Sequence, residues 1–122
     1  MAYYDNQNSV SFEAGSDLSA NQFQFVSVSA DGQVDLTGDG AYSIGVLQNE
    51  PSAAGRAAEV AINGKTQVKC GGTVTAGGPV ASDGSGQAVD ATTNDIILGE
   101  AMEAGASGEV ITVLFHPRGA AA

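Results

Sequence analysis

Apolar residues recur along the chain in short alternating runs, and Gly, Asn, Asp and Pro punctuate them. That period belongs to strands rather than helices. Phe23, Phe25, Val26 and Val28 flank polar residues, Ala30-Asp31-Gly32 turns the chain, and Val34 and Leu36 alternate with Gln33 and Asp35. This predicts a hairpin. Gly38-Asp39-Gly40 closes it, and Tyr42, Ile44, Val46 and Leu47 begin a further strand. Residues 71–95, broken by Gly71-Gly72, Gly77-Gly78-Pro79 and Ser82-Asp83-Gly84-Ser85-Gly86, leave room only for short strands around Val74, Val80 and Val89. Residues 96–102 and 110–115 are the most apolar stretches. A nearly continuous apolar strand implies cover on both faces, from the fold's own core or from a subunit interface.

The segment 50–64 is open to two readings. Pro51 and Asn63-Gly64 are legitimate boundaries for a helix around the Ala-rich stretch. Against this, Gly55 would cost a helix interior about 1 kcal/mol, and residues 59–70 read better as two short strands. A two-residue Asn63-Gly64 loop would put apolar and charged side chains on one face. A three-residue loop over 62–64 instead pairs Val60 with Thr66 and Ala58 with Val68. Val60, Val68 and Cys70 then share a buried face, with Glu59, Lys65, Gln67 and Lys69 on the wet one. A weak internal echo joins the two halves: Ile44-Gly45-Val46-Leu47 followed by Glu59-Val60 resembles Leu98-Gly99-Glu100-Ala101 followed by Glu109-Val110.

Residues 1–20 show no clear period and read as an arm, with order beginning near Asn21. Extended, such an arm could span about 65 Å. Tyr3, Tyr4, Val10 and Phe12 are its apolar groups, available as anchors for a partner; the alternative is a frayed terminus with incidental aromatics. The expected organisation is an arm (1–20), a β domain (21–117) and a short tail (118–122).

Composition narrows the function. The 122 residues include 17 Gly and only 6% aromatics, which fits many tight turns around a core of Val, Ile, Leu and Ala. Fourteen acids against four bases give a net charge of −10. A surface this negative repels phosphate, so nucleic acid and anionic lipid are poor partners. No run of apolar residues is long enough to span a bilayer, and the polar N-terminus has no secretory pattern. One cysteine cannot form an internal disulfide, and synthesis in a reducing cytoplasm fits. The charge is uneven: residues 1–50 carry seven acids and no base, whereas residues 51–122 carry seven acids and all four bases. A partner meeting the front half closely should be basic or should contact its uncharged residues; solubility alone is the simpler account of the acidity.

The search for chemistry yields little. His116, before Pro117, has no Cys, Asp or Glu at a ligand spacing and reads as a strand-end residue. Cys70 reads as a small core residue rather than a reactive thiol. Lys65 lacks the upstream glycine of a phosphate loop, and the residues around it do not match a biotinyl-type carrier. Asp35-Leu36-Thr37-Gly38-Asp39-Gly40 imitates the head of a calcium loop, but Val46 stands where the bidentate Glu belongs. No catalytic residue, cofactor or metal is expected.

The order of residues from Phe12 to Phe115 resembles the capsid decoration, or cement, proteins of tailed bacteriophages. The resemblance lies in Phe25-Val26-Ser27-Val28 with Asp31-Gly32, Ile44-Gly45-Val46, Glu59-Val60-Ala61-Ile62, Gly77-Gly78-Pro79-Val80, Ser82-Asp83-Gly84, Ile97-Leu98-Gly99-Glu100-Ala101 and Gly108-Glu109-Val110-Ile111-Thr112-Val113. It implies an all-β, barrel or sandwich-like body of short antiparallel strands with an extended N-terminal arm. It further implies a non-enzymatic protein on the outer surface of the virion capsid, a homotrimer at three-fold or quasi-three-fold positions that bridges major capsid protein subunits and stabilises the expanded shell. The competing reading is a carbohydrate- or receptor-binding β module on a fibre or cell surface. That reading needs an aromatic platform, and the chain has no Trp and three Tyr.

Overall fold

The computed structural model describes residues 8–122. Nine strands follow in chain order: β1 (Asn8–Ala14), β2 (Phe25–Ala30), β3 (Gln33–Leu36), β4 (Gly45–Leu47), β5 (Ala57–Lys69), β6 (Pro79–Ser82), β7 (Ala88–Asp90), β8 (Gly99–Ala101) and β9 (Val110–Phe115). The described residues contain no helix, so the strand reading of the Ala-rich segment holds. The hairpin read from the sequence is β2–β3, with Val26 opposite Leu36 and Val28 opposite Val34.

The first half closes on itself. β2 pairs with β3 and β4, β4 with β5, and β1 with both β5 and β3, so the five strands form a ring. Inside lie Ala14, Leu18, Val26, Val34, Leu47, Ala58 and Val60, with Phe12, Leu36, Ile44 and Ile62 packed against them. β5 then continues into a second sheet of β9, β8, β6 and β7, and a bridge from Cys70 to Ala88 brings β7 back beside the end of β5. This half encloses Val68, Cys70, Val74, Val80, Leu98, Ile111, Val113 and Phe115, together with Phe25 and Val46 from the first.

Three expectations are corrected. The sheet begins at Asn8 rather than near Asn21: Asn8–Glu13 run antiparallel to β5, and Ala14 and Leu18 are buried. The even-numbered Phe12 and Ala14 turn inward while Ser9, Ser11 and Glu13 fill the odd positions, and that sparse apolar content hid the alternation. One ladder, β1–β3, is parallel, because the chain leaves β1 by a long loop and returns in β3 running the same way. Residues 118–122 are not loose: Arg118 N donates to the Ile97 carbonyl at 2.9 Å and Ala121 N to the Asp95 carbonyl at 2.8 Å.

The fourth correction concerns Asn63-Gly64, which does not reverse the chain. β5 is one strand of 13 residues. Its pairing with β1 steps from Ser9–Ala61 to Asn8–Asn63, leaving Ile62 as an extra residue, and Gly64 follows at φ +89°. The left-handed freedom that a hairpin would have used bends the strand instead, where it passes from β1 to β9. Alternation survives the bend. Ala58 and Val60 enter the first core, Val68 and Cys70 the second, and Glu59, Lys65 and Gln67 stay exposed as their parity requires.

The internal echo has a structural counterpart. β4–β5 and β8–β9 are both antiparallel pairs, each opening on a glycine pressed against its partner strand. A Cβ on Gly45 would overlap the Ala61 carbonyl oxygen, and one on Gly99 the Leu114 carbonyl oxygen.

Candidate functional site

Of the anchors read from the sequence, Tyr3 and Tyr4 lie outside the described residues. Val10 and Phe12 share the inward-facing side of β1 but have different fates. Phe12, opposite Ala58, packs against the first core, so most of its surface is committed to the body. Val10, opposite the buried Val60, keeps 41% of its surface exposed. Beyond Glu13 and Ala14, which pair with β3, the described residues show no ladder on the second edge of β1. Sequence-distant anchoring therefore reduces, in the described part, to one exposed valine on a strand otherwise built into the barrel.

The structure engages the titratable groups singled out in the sequence. Cys70 is fully buried in the second core, and burial, followed by Glu109 and Glu103, pushes its thiol up, away from the thiolate a nucleophile needs. The calcium-like segment is otherwise engaged: Ser16 and Ser29 hydroxyls donate to the Asp35 carboxylate at 2.6 and 2.8 Å. Among the described residues no three His, Cys, Asp or Glu side chains converge as a metal site would require.

One cluster escaped sequence reasoning. β8 and β9 place Glu100 opposite Leu114, one residue before the end of β9, so that Glu100 meets His116 and Arg118. His116 Nε2 lies 3.2 Å from Glu100 Oε1, and Arg118 forms an ion pair with the same carboxylate. The signal was present in the echo, which placed residues 98–102 in a strand beside 110–115; only the register was lacking. The Arg118 guanidinium holds the Glu100 carboxyl below its ordinary 4.5; burial opposes it to a lesser extent, and His116 adds a smaller lowering. A depressed carboxylate stabilises the folded state above the unfolded value and loses that contribution as pH falls through the folded one. Arg118→Ala should therefore lower stability at pH 7 by about 0.5 kcal/mol, given the exposure of the pair, and the difference from wild type should shrink as the pH is taken below 4.5 to pH 3. Urea midpoints at the two pH values check this; an equal deficit at both would show that Arg118 acts by packing instead.

A family model described as phage cement protein matches residues 4–116. The chain belongs to the phage cement protein family. It is thus a bacteriophage protein with a capsid-associated role, and its all-β fold is shared with a phage structural component. The N base of head fiber gp8.5 of bacteriophage phi29 superposes with a TM-score of 0.71 over 91% of this chain and 95% of that one, at 16% sequence identity. At that identity the likeness speaks to the fold. No curated protein matches the chain.

Proposed function

We propose that this cement protein binds the outer surface of an icosahedral phage head, bridging neighbouring major capsid protein subunits, and that it stabilises the expanded shell without catalysing any reaction. The observation that carries this reading is the family match, which spans both halves of the fold from residue 4 to residue 116. A protein of this kind works by mass action. Binding energy available only when adjacent subunits are correctly placed favours the assembled state over its parts. Several copies acting together, as in a homotrimer at three-fold or quasi-three-fold positions, multiply modest contacts. Residues 1–7, with Tyr3 and Tyr4, supply aromatic anchors ahead of β1, and the acidic body faces solvent in the virion.

The test uses purified protein and expanded empty shells. Co-sedimentation should show saturable binding, and the shell melting temperature should rise with occupancy; no binding and no shift removes the reading. Removing residues 1–7 leaves β1 intact, so the body should melt as before while shell affinity drops about tenfold or more, as expected for loss of two aromatic anchors. Unchanged affinity would remove the N-terminal segment from the contact. Retained binding to simple sugars in the absence of shells would favour the receptor-binding module.

A further inference from the structure

Four dipeptides in the chain place a glycine directly after an Asp or Asn: Asp31-Gly32, Asp39-Gly40, Asn63-Gly64 and Asp83-Gly84. In such a pair the side-chain carbonyl carbon lies within reach of an unhindered backbone nitrogen, because glycine has no Cβ to obstruct the approach. In an unfolded chain all four are open to the same ring closure. The fold treats them differently.

Three of the four are held. Gly40 donates its N–H to the Ser82 carbonyl at 2.9 Å, and its own carbonyl accepts from the Ile96 N–H at 3.0 Å. Asp83 Oδ1 accepts from the Ser85 and Gln87 N–H groups at 2.8 and 2.9 Å, which fixes that carboxylate within its own turn. Asn63 and Gly64 belong to β5, opposite Asn8 of β1 and Phe115 of β9, so two neighbouring strands keep the dipeptide in place. The fourth is open. Ala30 faces Gln33 across the β2–β3 hairpin, so Asp31 and Gly32 form its tip, and both are exposed. Among the described residues neither the Asp31 carboxylate nor the Gly32 N–H has a hydrogen-bond partner. Gly32, at φ +70°, has open space where a Cβ would stand. Its carbonyl alone is engaged, accepting from the Glu13 N–H at 2.9 Å where β1 meets β3.

We propose that Asp31 is the site at which the folded chain isomerises, and that reaction there loosens the junction of β1 and β3. With the carboxyl protonated, the Gly32 nitrogen attacks Asp31 Cγ and a C–N bond forms. The carboxyl hydroxyl, taking up a proton in exchange for the one the amide loses, leaves as water. Water then opens the five-membered imide. Addition at the original main-chain carbonyl breaks its bond to the Gly32 nitrogen and leaves an isoaspartyl linkage, whereas addition at Cγ restores aspartate. One water leaves and one enters, and neither an oxidant nor a cofactor takes part. The isoaspartyl form carries an extra methylene in the main chain. Because turn length sets the register of a hairpin, the lengthened tip displaces the Gly32 carbonyl from the Glu13 N–H.

Incubating the full chain in heavy-oxygen water, folded and in parallel unfolded in urea, tests the assignment. Each ring opening adds one heavy oxygen, which peptide mapping locates. Dividing each site's folded rate by its own unfolded rate removes intrinsic differences, including the loss of ammonia rather than water at Asn63. The ratio should stay near unity for Asp31 and fall at least about tenfold for Asp39, Asn63 and Asp83, the protection that local structure confers. Asp31→Glu, which keeps the charge but would need a larger ring, should take up no label at that position. In the isomerised fraction, separated by chromatography, the Glu13 amide proton should exchange faster than in the unmodified chain, while the Gly15 amide, bonded to the Val34 carbonyl, keeps its rate. Protection of Asp31 equal to that of the other three sites, or label retained in Asp31→Glu, would overturn the assignment. An unchanged Glu13 exchange rate would overturn the loosening of β1 from β3.

Discussion

Phe115→Ala should lower the unfolding free energy by about 4 kcal/mol, the range for truncating a fully buried phenylalanine. At about 4 °C per kcal/mol for a domain of this size, the melting temperature should fall by about 15 °C. The effect is large because Phe115 ends β9 inside the second core, completely buried, with its ring centroid 6.1 Å from that of Phe25 at an interplanar angle of 36°. Phe25 belongs to β2, whose next residue, Val26, points into the first core, so the aromatic pair ties the two halves together. In a double-mutant cycle with Phe25→Ala, the double variant should lose about 1 kcal/mol less than the sum of the two separate losses, because each truncation alone already removes the ring contact. Additive losses would show that the ring contact contributes nothing beyond the separate burial of the two side chains.

Gly99→Ala should cost about 3 kcal/mol although it adds a single methyl group. The new Cβ would overlap the Leu114 carbonyl oxygen and lie 3.0 Å from the Leu114 carbonyl carbon and 3.2 Å from the Phe115 Cα. All three are backbone atoms of the paired strand, so no side chain can rotate away and β8 must separate from β9. Gly38→Ala is the control. Nothing stands within 4 Å of its Cβ position, and the change should be neutral or slightly stabilising. Equal melting temperatures for Gly99→Ala and wild type would show that the β8–β9 ladder yields at low cost. Because Glu100 follows Gly99 and bonds His116 and Arg118, the same variant should also weaken the surface cluster and the docking of the C-terminal residues.

Phage association is compatible with marginal stability in the free protein, because contacts made on the particle add to those within the chain. The molecule holds its polar interior to a few satisfied groups. Ser43 is fully buried, donates its hydroxyl to the Val26 carbonyl at 2.8 Å and accepts from the Gly45 N–H at 3.1 Å, and Ser82 donates to the Asp83 carbonyl at 2.8 Å. Among the described residues no buried side-chain polar atom lacks a partner. Two non-glycine residues among those described have positive φ, Asn94 at +74° and Phe23 at +66°, a region that costs a bulky residue such as Phe23 about 1–2 kcal/mol. Its N–H donates to the Leu47 carbonyl and its carbonyl accepts from Lys69 N–H, so the strain is held where the end of β5 passes the entrance to β2.

The sequence by itself determined the all-β class, the β2–β3 hairpin, the burial of Cys70 and the in-and-out pattern of residues 58–70, since each depends on local alternation and on turn residues adjacent in the chain. The family resemblance was legible for the same reason: it is a succession of glycines and β-branched residues. Only the tertiary structure decided that residues 8–14 complete a barrel, that Asn63-Gly64 bends one long strand instead of reversing it, and that Glu100, His116 and Arg118 meet. Those outcomes turn on which distant strand offers its hydrogen-bonding edge. A bulge at Ile62 and a turn at Gly64 satisfy the same local pattern, and β9's claim on Lys65 to Lys69 settled the choice between them.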